Sequence, residues 1–113
     1  TKDLVELTRN ADLLVVAAGK PQLIDKNYVR SNSVLIDVGI HRLQKQNLNG
    51  SEKNFYLCGD IRFEEVEPLV RAITPVPGGV GPMTVAMLLV NTVKRWEKDC
   101  GLSFRMSDLF PND

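Results

Sequence analysis

Ala11-Asp12-Leu13-Leu14-Val15-Val16-Ala17-Ala18-Gly19-Lys20-Pro21 is the stretch on which the fold turns. Its centre is a continuous apolar run, with no alternation of apolar and polar side chains. A strand with one wet face alternates with period two. A strand in a parallel sheet, covered by helices on both faces, has no need to. Gly19-Lys20-Pro21 ends the run. Two more runs follow the same plan: Ser33-Val34-Leu35-Ile36-Asp37-Val38, closed by Gly39, and the shorter Ala72-Ile73-Thr74, stopped by Pro75. Helical patterns lie between and beside them. Residues 3–9 carry Leu4, Val5 and Leu7, with Asn10 as a stop, and residues 25–30 read as a short helical turn capped by Asp25. Residues 63–70 read as a helix with early acidic residues. Residues 83–98 form the longest helical pattern, apolar at Val85, Met87, Leu88, Leu89, Val93 and Trp96, with Pro82 at its first position and Gly101 just past its end. Strands alternating with helices imply βαβ units, right-handed crossovers and an α/β fold with a doubly wound parallel sheet.

Composition narrows the function. The 113 residues suffice for one small domain. Fourteen basic and fourteen acidic side chains cancel, which leaves no electrostatic footprint for nucleic acid or an anionic membrane. The longest apolar runs, residues 13–18 and 85–90, fall far short of the roughly 20 residues that cross a bilayer. Thr1-Lys2-Asp3-Leu4 has none of the layout of a signal peptide. Cys58 and Cys100 match no metal-ligand spacing, so free thiols, buried or half-buried, in a reducing compartment are expected, and no metal site.

Sheets of this kind bind ligands outside the carboxyl ends of their strands. Three punctuated ends qualify: Ala18-Gly19, Val38-Gly39-Ile40 and Thr74-Pro75. The third opens Thr74-Pro75-Val76-Pro77-Gly78-Gly79-Val80-Gly81-Pro82-Met83-Thr84. Three glycines in four residues let backbone approach a flat ligand, and flanking prolines stiffen the loop before a helix N-terminus. This is not the dinucleotide fingerprint, because Thr84 stands where Gly-x-Gly-x-x-Gly needs its third glycine, and no Gly-Lys-Ser/Thr of a P-loop is present. Ile40 is placed to cover one face of a ring. Asp37, ending an apolar run, must be hydrogen-bonded or exposed. Lys20 reads as a solvated turn residue or a partner for a charged group. His41 reads as a loop histidine without a partner constellation. Asp60, after Gly59, reads as a structural turn residue bonding its own backbone. Glu64, Glu65 and Glu67 read as a solvated helix face; Trp96, Met87 and Val93 read as core or a packing face.

Residues 73–88, with that loop at their centre, resemble the C-terminal signature of the methylenetetrahydrofolate dehydrogenase/cyclohydrolase family. The strand over residues 11–21 is similar to the family's ADILVVAxGxP element, residues 34–40 to its VIDVGI element, and Gly59-Asp60-Ile61 to its GDV element. The resemblance spans about positions 1–99. It implies a Rossmann-like sheet lacking its first βαβ unit, with residues 1–101 as a partial NAD(P)-binding domain and residues 102–113 as a C-terminal arm. It also implies NADP, or NAD, as cofactor, tetrahydrofolate derivatives as substrates, and a homodimeric, cytoplasmic or mitochondrial parent. The family's reaction oxidises methylenetetrahydrofolate and hydrolyses the methenyl product to the formyl compound. Residue by residue, Pro77, Gly78, Gly79, Val80 and Gly81 match the folate-lining loop; Ile40, Ala18, Gly19 and Thr84 match positions around the cofactor. No proton-transfer residue is carried over, because the family's catalytic lysine lies in an N-terminal domain absent from these residues. The alternative is a non-catalytic module that binds a nucleotide or dimerises through an exposed sheet edge.

Overall fold

The computed structural model describes residues 3–44 and 54–101. Residues 1–2, residues 45–53 and the expected arm at residues 102–113 lie outside them. Two compact units divide the chain, Thr1–Gly81 and Pro82–Asp113.

In the first unit, helix α1 (Leu4–Arg9) ends at Asn10, whose N–H bonds the Leu7 carbonyl at 3.3 Å. Strand β1 is Leu13–Val16 and strand β2 is Val34–Asp37. They run parallel in the register Leu13 to Val34 through Val16 to Asp37. Between them, Asp25 caps a 3-10 turn, Lys26–Tyr28, by accepting from the Asn27 N–H at 2.8 Å. Beyond β2 the chain enters β3 (His41–Gln44), which pairs antiparallel with β4 (Phe55–Cys58). His41 therefore opens a strand, where a loop was expected. Helix α2 is only Phe63–Val66 and passes into a 3-10 turn, Glu67–Leu69. The single helix expected over residues 63–70 is split because Pro68 has no N–H to continue the α pattern. Strand β5 (Ala72–Ile73) then pairs parallel with β2, giving the sheet order β1-β2-β5. The parallel α/β reading of the sequence is the observed architecture.

The pleat sends alternate side chains to opposite faces. Leu14, Val16, Leu35 and Ile73 point to one face, where Ile24, Val29, Ile61 and Val66 complete the core. Leu13 and Val15 point the other way and stay 55% and 56% exposed. The elements of this unit thus cover one face of the sheet, where the apolar run implied cover on both.

The long helix, α3, runs Val80–Asp99. It starts two residues earlier than the proline rule placed it. Pro82 is its third residue, still within the first turn, whose N–H groups have no helical acceptor. Gly101, at φ +68°, takes the left-handed conformation that ends it, and the Cys100 N–H closes on the Trp96 carbonyl at 2.9 Å. Met87, Val93 and Trp96 are exposed rather than in a core.

Candidate functional site

The backbone ladder of the sheet stops at the carboxyl ends of β1, β2 and β5, with Val38 N–H on the Val16 carbonyl at 2.9 Å and Thr74 N–H on the Leu35 carbonyl at 3.1 Å. From there side chains take over the cross-links. The Asp37 N–H donates to Thr74 Oγ1 at 2.8 Å, tying β2 to the end of β5. The Asp37 carboxylate, 3% exposed, accepts three backbone N–H bonds: Oδ1 from Gly39 and from Asp60, each at 3.0 Å, and Oδ2 from Ile61 at 2.9 Å. It fixes the chain leaving β4 against the chain leaving β2.

Asp60 answers in the other direction. Its Oδ2 accepts from the Ala18 N–H at 2.7 Å and the Gly19 N–H at 2.9 Å, while Oδ1 lies 2.6 Å from His41 Nε2. The side chain is fully buried and the His41 ring is 20% exposed. Burial pushes a carboxyl pKa up, but the bonds from His41, Gly19 and Ala18 outweigh it and hold Asp60 below the ordinary aspartate value. An ionised carboxylate only accepts, so Nε2 carries the proton in this bond.

Two glycines make the crossing possible. A Cβ on Gly39 would stand 2.5 Å from Asp60 Cγ, and one on Gly59 would overlap the Asp37 carboxylate. Asp37-Val38-Gly39 and Gly59-Asp60 therefore interlock, each aspartate filling the space in front of the other's glycine. Cys58, buried beneath them, has its thiol pushed up by burial and then by the nearby charges of Asp37 and Asp60. It stays protonated and is no nucleophile.

The expected site residues of the first unit gather around this interlock. Ala18 and Gly19 are held by Asp60. Ile40, 64% exposed, sits next to His41, which the same Asp60 holds. The Pro77-to-Gly81 loop begins at β5: its Val76–Pro77 peptide is cis, Gly78 has φ +104°, and Gly79 packs so closely that a Cβ would stand 2.5 Å from the Pro75 carbonyl oxygen. Thr84 belongs to α3, in the second unit. An open cleft of about 970 Å³, bordered by Gln22, Asp37, Tyr56, Arg62, Pro75 and Val76, adjoins the ends of β2 and β5. Among the described residues no group of three acidic, histidine or cysteine side chains is placed to hold a metal ion.

Local sequence rules missed two things. Asp60 does not bond its own turn; it reaches back 42 residues to Ala18. His41 is not partnerless; its partner is 19 residues away. The available signal was the pair of elements Asp37-Val38-Gly39 and Gly59-Asp60 at the ends of apolar runs, where an aspartate close to a glycine marks a close crossing.

The donor set tests what ligand suits these strand ends. The N–H groups of Ala18 and Gly19 are already committed to Asp60, so this turn is not built to cradle a phosphate. Gly19, at φ +67°, has nothing within 4 Å of the place a Cβ would occupy. Val38 and Ile40, beyond the end of β2, are likewise exposed.

Comparison with known proteins places the chain in a family. A family profile described as Tetrahydrofolate dehydrogenase/cyclohydrolase, NAD(P)-binding domain, matches residues 1–100. The bifunctional protein FolD of Prochlorococcus marinus strain NATL1A is 62% identical over 112 residues, covering 98% of this chain and 37% of that protein; the SARG strain's FolD is 59% identical over 111 residues, with the same coverage. The chain thus spans a little over a third of the length of these relatives. Among solved structures, the Campylobacter jejuni FolD methylenetetrahydrofolate dehydrogenase/cyclohydrolase is 51% identical with a TM-score of 0.69, covering 83% of this chain and 30% of that one. The Trypanosoma brucei enzyme, complexed with NADP cofactor and inhibitor, is 35% identical with a TM-score of 0.73, covering 87% and 32%. By its matched residues and its parallel sheet, the chain belongs to the tetrahydrofolate dehydrogenase/cyclohydrolase family, as part of that family's NAD(P)-binding domain.

Proposed function

We propose that this chain forms the cofactor-facing and folate-facing wall of a bifunctional methylenetetrahydrofolate dehydrogenase/methenyltetrahydrofolate cyclohydrolase. The observation that carries the reading is the cluster of turns at the carboxyl ends of the three parallel strands, within residues that match the family's NAD(P)-binding domain throughout. Residues 1–101 serve as that domain and residues 102–113 as its C-terminal arm. Ala18, Gly19, Ile40 and Thr84 face NADP, or NAD in its place; Pro77, Gly78, Gly79, Val80 and Gly81 line the folate. A dinucleotide held there would supply the hydride acceptor for oxidation of the methylene carbon of 5,10-methylenetetrahydrofolate to the methenyl cation. Water then adds to the resulting methenyl cation, a ring carbon–nitrogen bond opens, a proton is released, and 10-formyltetrahydrofolate results. The contribution of these residues is positioning: stiff backbone on both sides of the reacting pair lowers the cost of aligning carbon and ring. The proton-transfer groups belong to the remaining length of such an enzyme.

Leu13 and Val15, open on one face of the sheet, fit contact with further protein, whether the rest of the parent chain or a second copy in a homodimer. No described helix is long and apolar enough to cross a membrane; the family resemblance is what suggests a cytoplasmic or mitochondrial parent. The test is an assay of nicotinamide reduction by the purified full-length parent and by these 113 residues alone. The parent should oxidise 5,10-methylenetetrahydrofolate and the short chain should not. A full-length parent that fails to oxidise 5,10-methylenetetrahydrofolate would end the enzyme reading and leave a non-catalytic nucleotide-binding or dimerisation module.

A further inference from the structure

Asp60 and His41 have no part in the reading above, yet both exits that reading assigns to the cofactor depend on them. The Ala18-Gly19 turn follows β1, and Ile40 lies between β2 and β3. Neither is fixed by the sheet's own ladder, which ends at Val16 and Val38. Among the described residues Asp60 spans the two: Oδ2 holds the Ala18 and Gly19 N–H groups, and Oδ1 holds His41, the neighbour of Ile40. Asp60 is itself immobilised, through its own N–H on Asp37 Oδ1, its carbonyl accepting from Ile24 N–H at 3.0 Å, and complete burial.

We propose that Asp60 is a positioning residue for dinucleotide binding, clamping the Ala18-Gly19 turn and, through His41, the Ile40 turn at a fixed separation. The inference rests on the cofactor-facing reading of Ala18, Gly19 and Ile40. Its physical content is preorganisation: a ligand contacting two turns binds more weakly when it must first order them. The clamp uses charge-assisted bonds, which are the strong ones, and it uses them below the surface, where they compete with no ligand atom.

The test is direct titration of the full-length parent with NADP and with NAD, by calorimetry, for wild type, Asp60→Ala, Asp60→Asn and His41→Leu. Active-site concentration is normalised to folded protein by circular dichroism. Loss of the clamp in Asp60→Ala should raise the dinucleotide Kd about tenfold, the scale of one charge-assisted hydrogen bond. Asp60→Asn keeps an oxygen for the two turn N–H groups and should recover most of that loss. His41→Leu frees only the Ile40 side and should raise Kd about threefold, a smaller share of the same bond scale. A purely structural Asp60 predicts lower thermal stability but an unchanged Kd in the folded fraction. That result in Asp60→Ala overturns the proposal. Should Asp60→Ala fail to fold, an unchanged Kd in His41→Leu overturns it equally. Wild-type protein that binds no dinucleotide sinks the proposed function instead, which keeps the two failures apart.

Discussion

Replacing Asp37 by alanine puts the interlock to a quantitative test. Two effects oppose each other. Removing a buried carboxylate relieves its desolvation, which by itself makes such a change neutral or stabilising. It also strips the acceptor from the N–H groups of Gly39, Asp60 and Ile61. Asp60 and Ile61 are buried at 0% and 2% exposure, so water cannot easily replace the lost oxygen there. An unsatisfied buried donor costs about 1–3 kcal/mol. Two such donors give about 4 kcal/mol, which relief of desolvation reduces to about 3. That is a large part of a stability of roughly 5–15 kcal/mol. Asp37→Asn keeps one oxygen for two of the three bonds and should cost about half as much. Urea unfolding of the full-length parent, read as a shift of midpoint at constant slope, measures the global effect. Native-state hydrogen exchange measures the local one: about 3 kcal/mol corresponds to roughly 100-fold faster exchange of the Asp60 and Ile61 amides. An alanine variant that loses under about 1 kcal/mol and keeps those amides protected would refute the accounting.

Acid should expose the Asp60 clamp. The folded-state pKa of Asp60 lies below its ordinary value, so between the two values the unfolded chain binds more protons and stability rises with pH. The contribution is complete above the unfolded value, about 3.9, and is lost as pH falls through the folded one. Asp60→Asn should flatten that acid limb in urea midpoints collected from neutral pH downward; an unaltered limb would show that Asp60 is not its source. The two thiols should differ in reactivity. Iodoacetamide at neutral pH should label exposed Cys100 well before buried Cys58, whose thiol is held protonated by burial and its acidic neighbours; equal rates by peptide mapping would contradict this.

The sheet was legible because its signal is local. Leu13 to Val16 and Val34 to Asp37 are apolar runs bounded by turn residues, and each became a parallel strand. Asp25 and Gly101 act as the cap and stop their residue types imply. What failed involved competition or distance. Pro68 broke a helix that apolar spacing alone would have continued. Trp96 and Val93 form part of an apolar stripe, and periodicity tells which side chains share a face but not what lies opposite them. The candidate site was legible as turns and glycines, not as a network. Nothing near Asp60 in sequence says that its acceptors serve Ala18 and His41, since that depends on which strand ends become neighbours.

The network also says why those ends carry charge at all. A parallel sheet exhausts its backbone pairing at the last strand residue, and the turns beyond it must be held by something else if they are to face a ligand without fluctuating. Apolar packing would do this by bulk, and bulk would fill the space a ring needs. A carboxylate does it with two oxygens below the surface: Asp37 and Asp60 together accept five backbone N–H bonds from turn residues. On the proposed reading the facing surface is then left to Gly19, Val38 and Ile40. The desolvation cost of two buried carboxylates, each satisfied by at least three donors, is the energetic counterpart of a rigid and unobstructed rim. On this argument an apolar replacement of the whole interlock could restore stability and would still lose the open geometry at Gly39 and Gly59, because the glycines are small only to admit the aspartates.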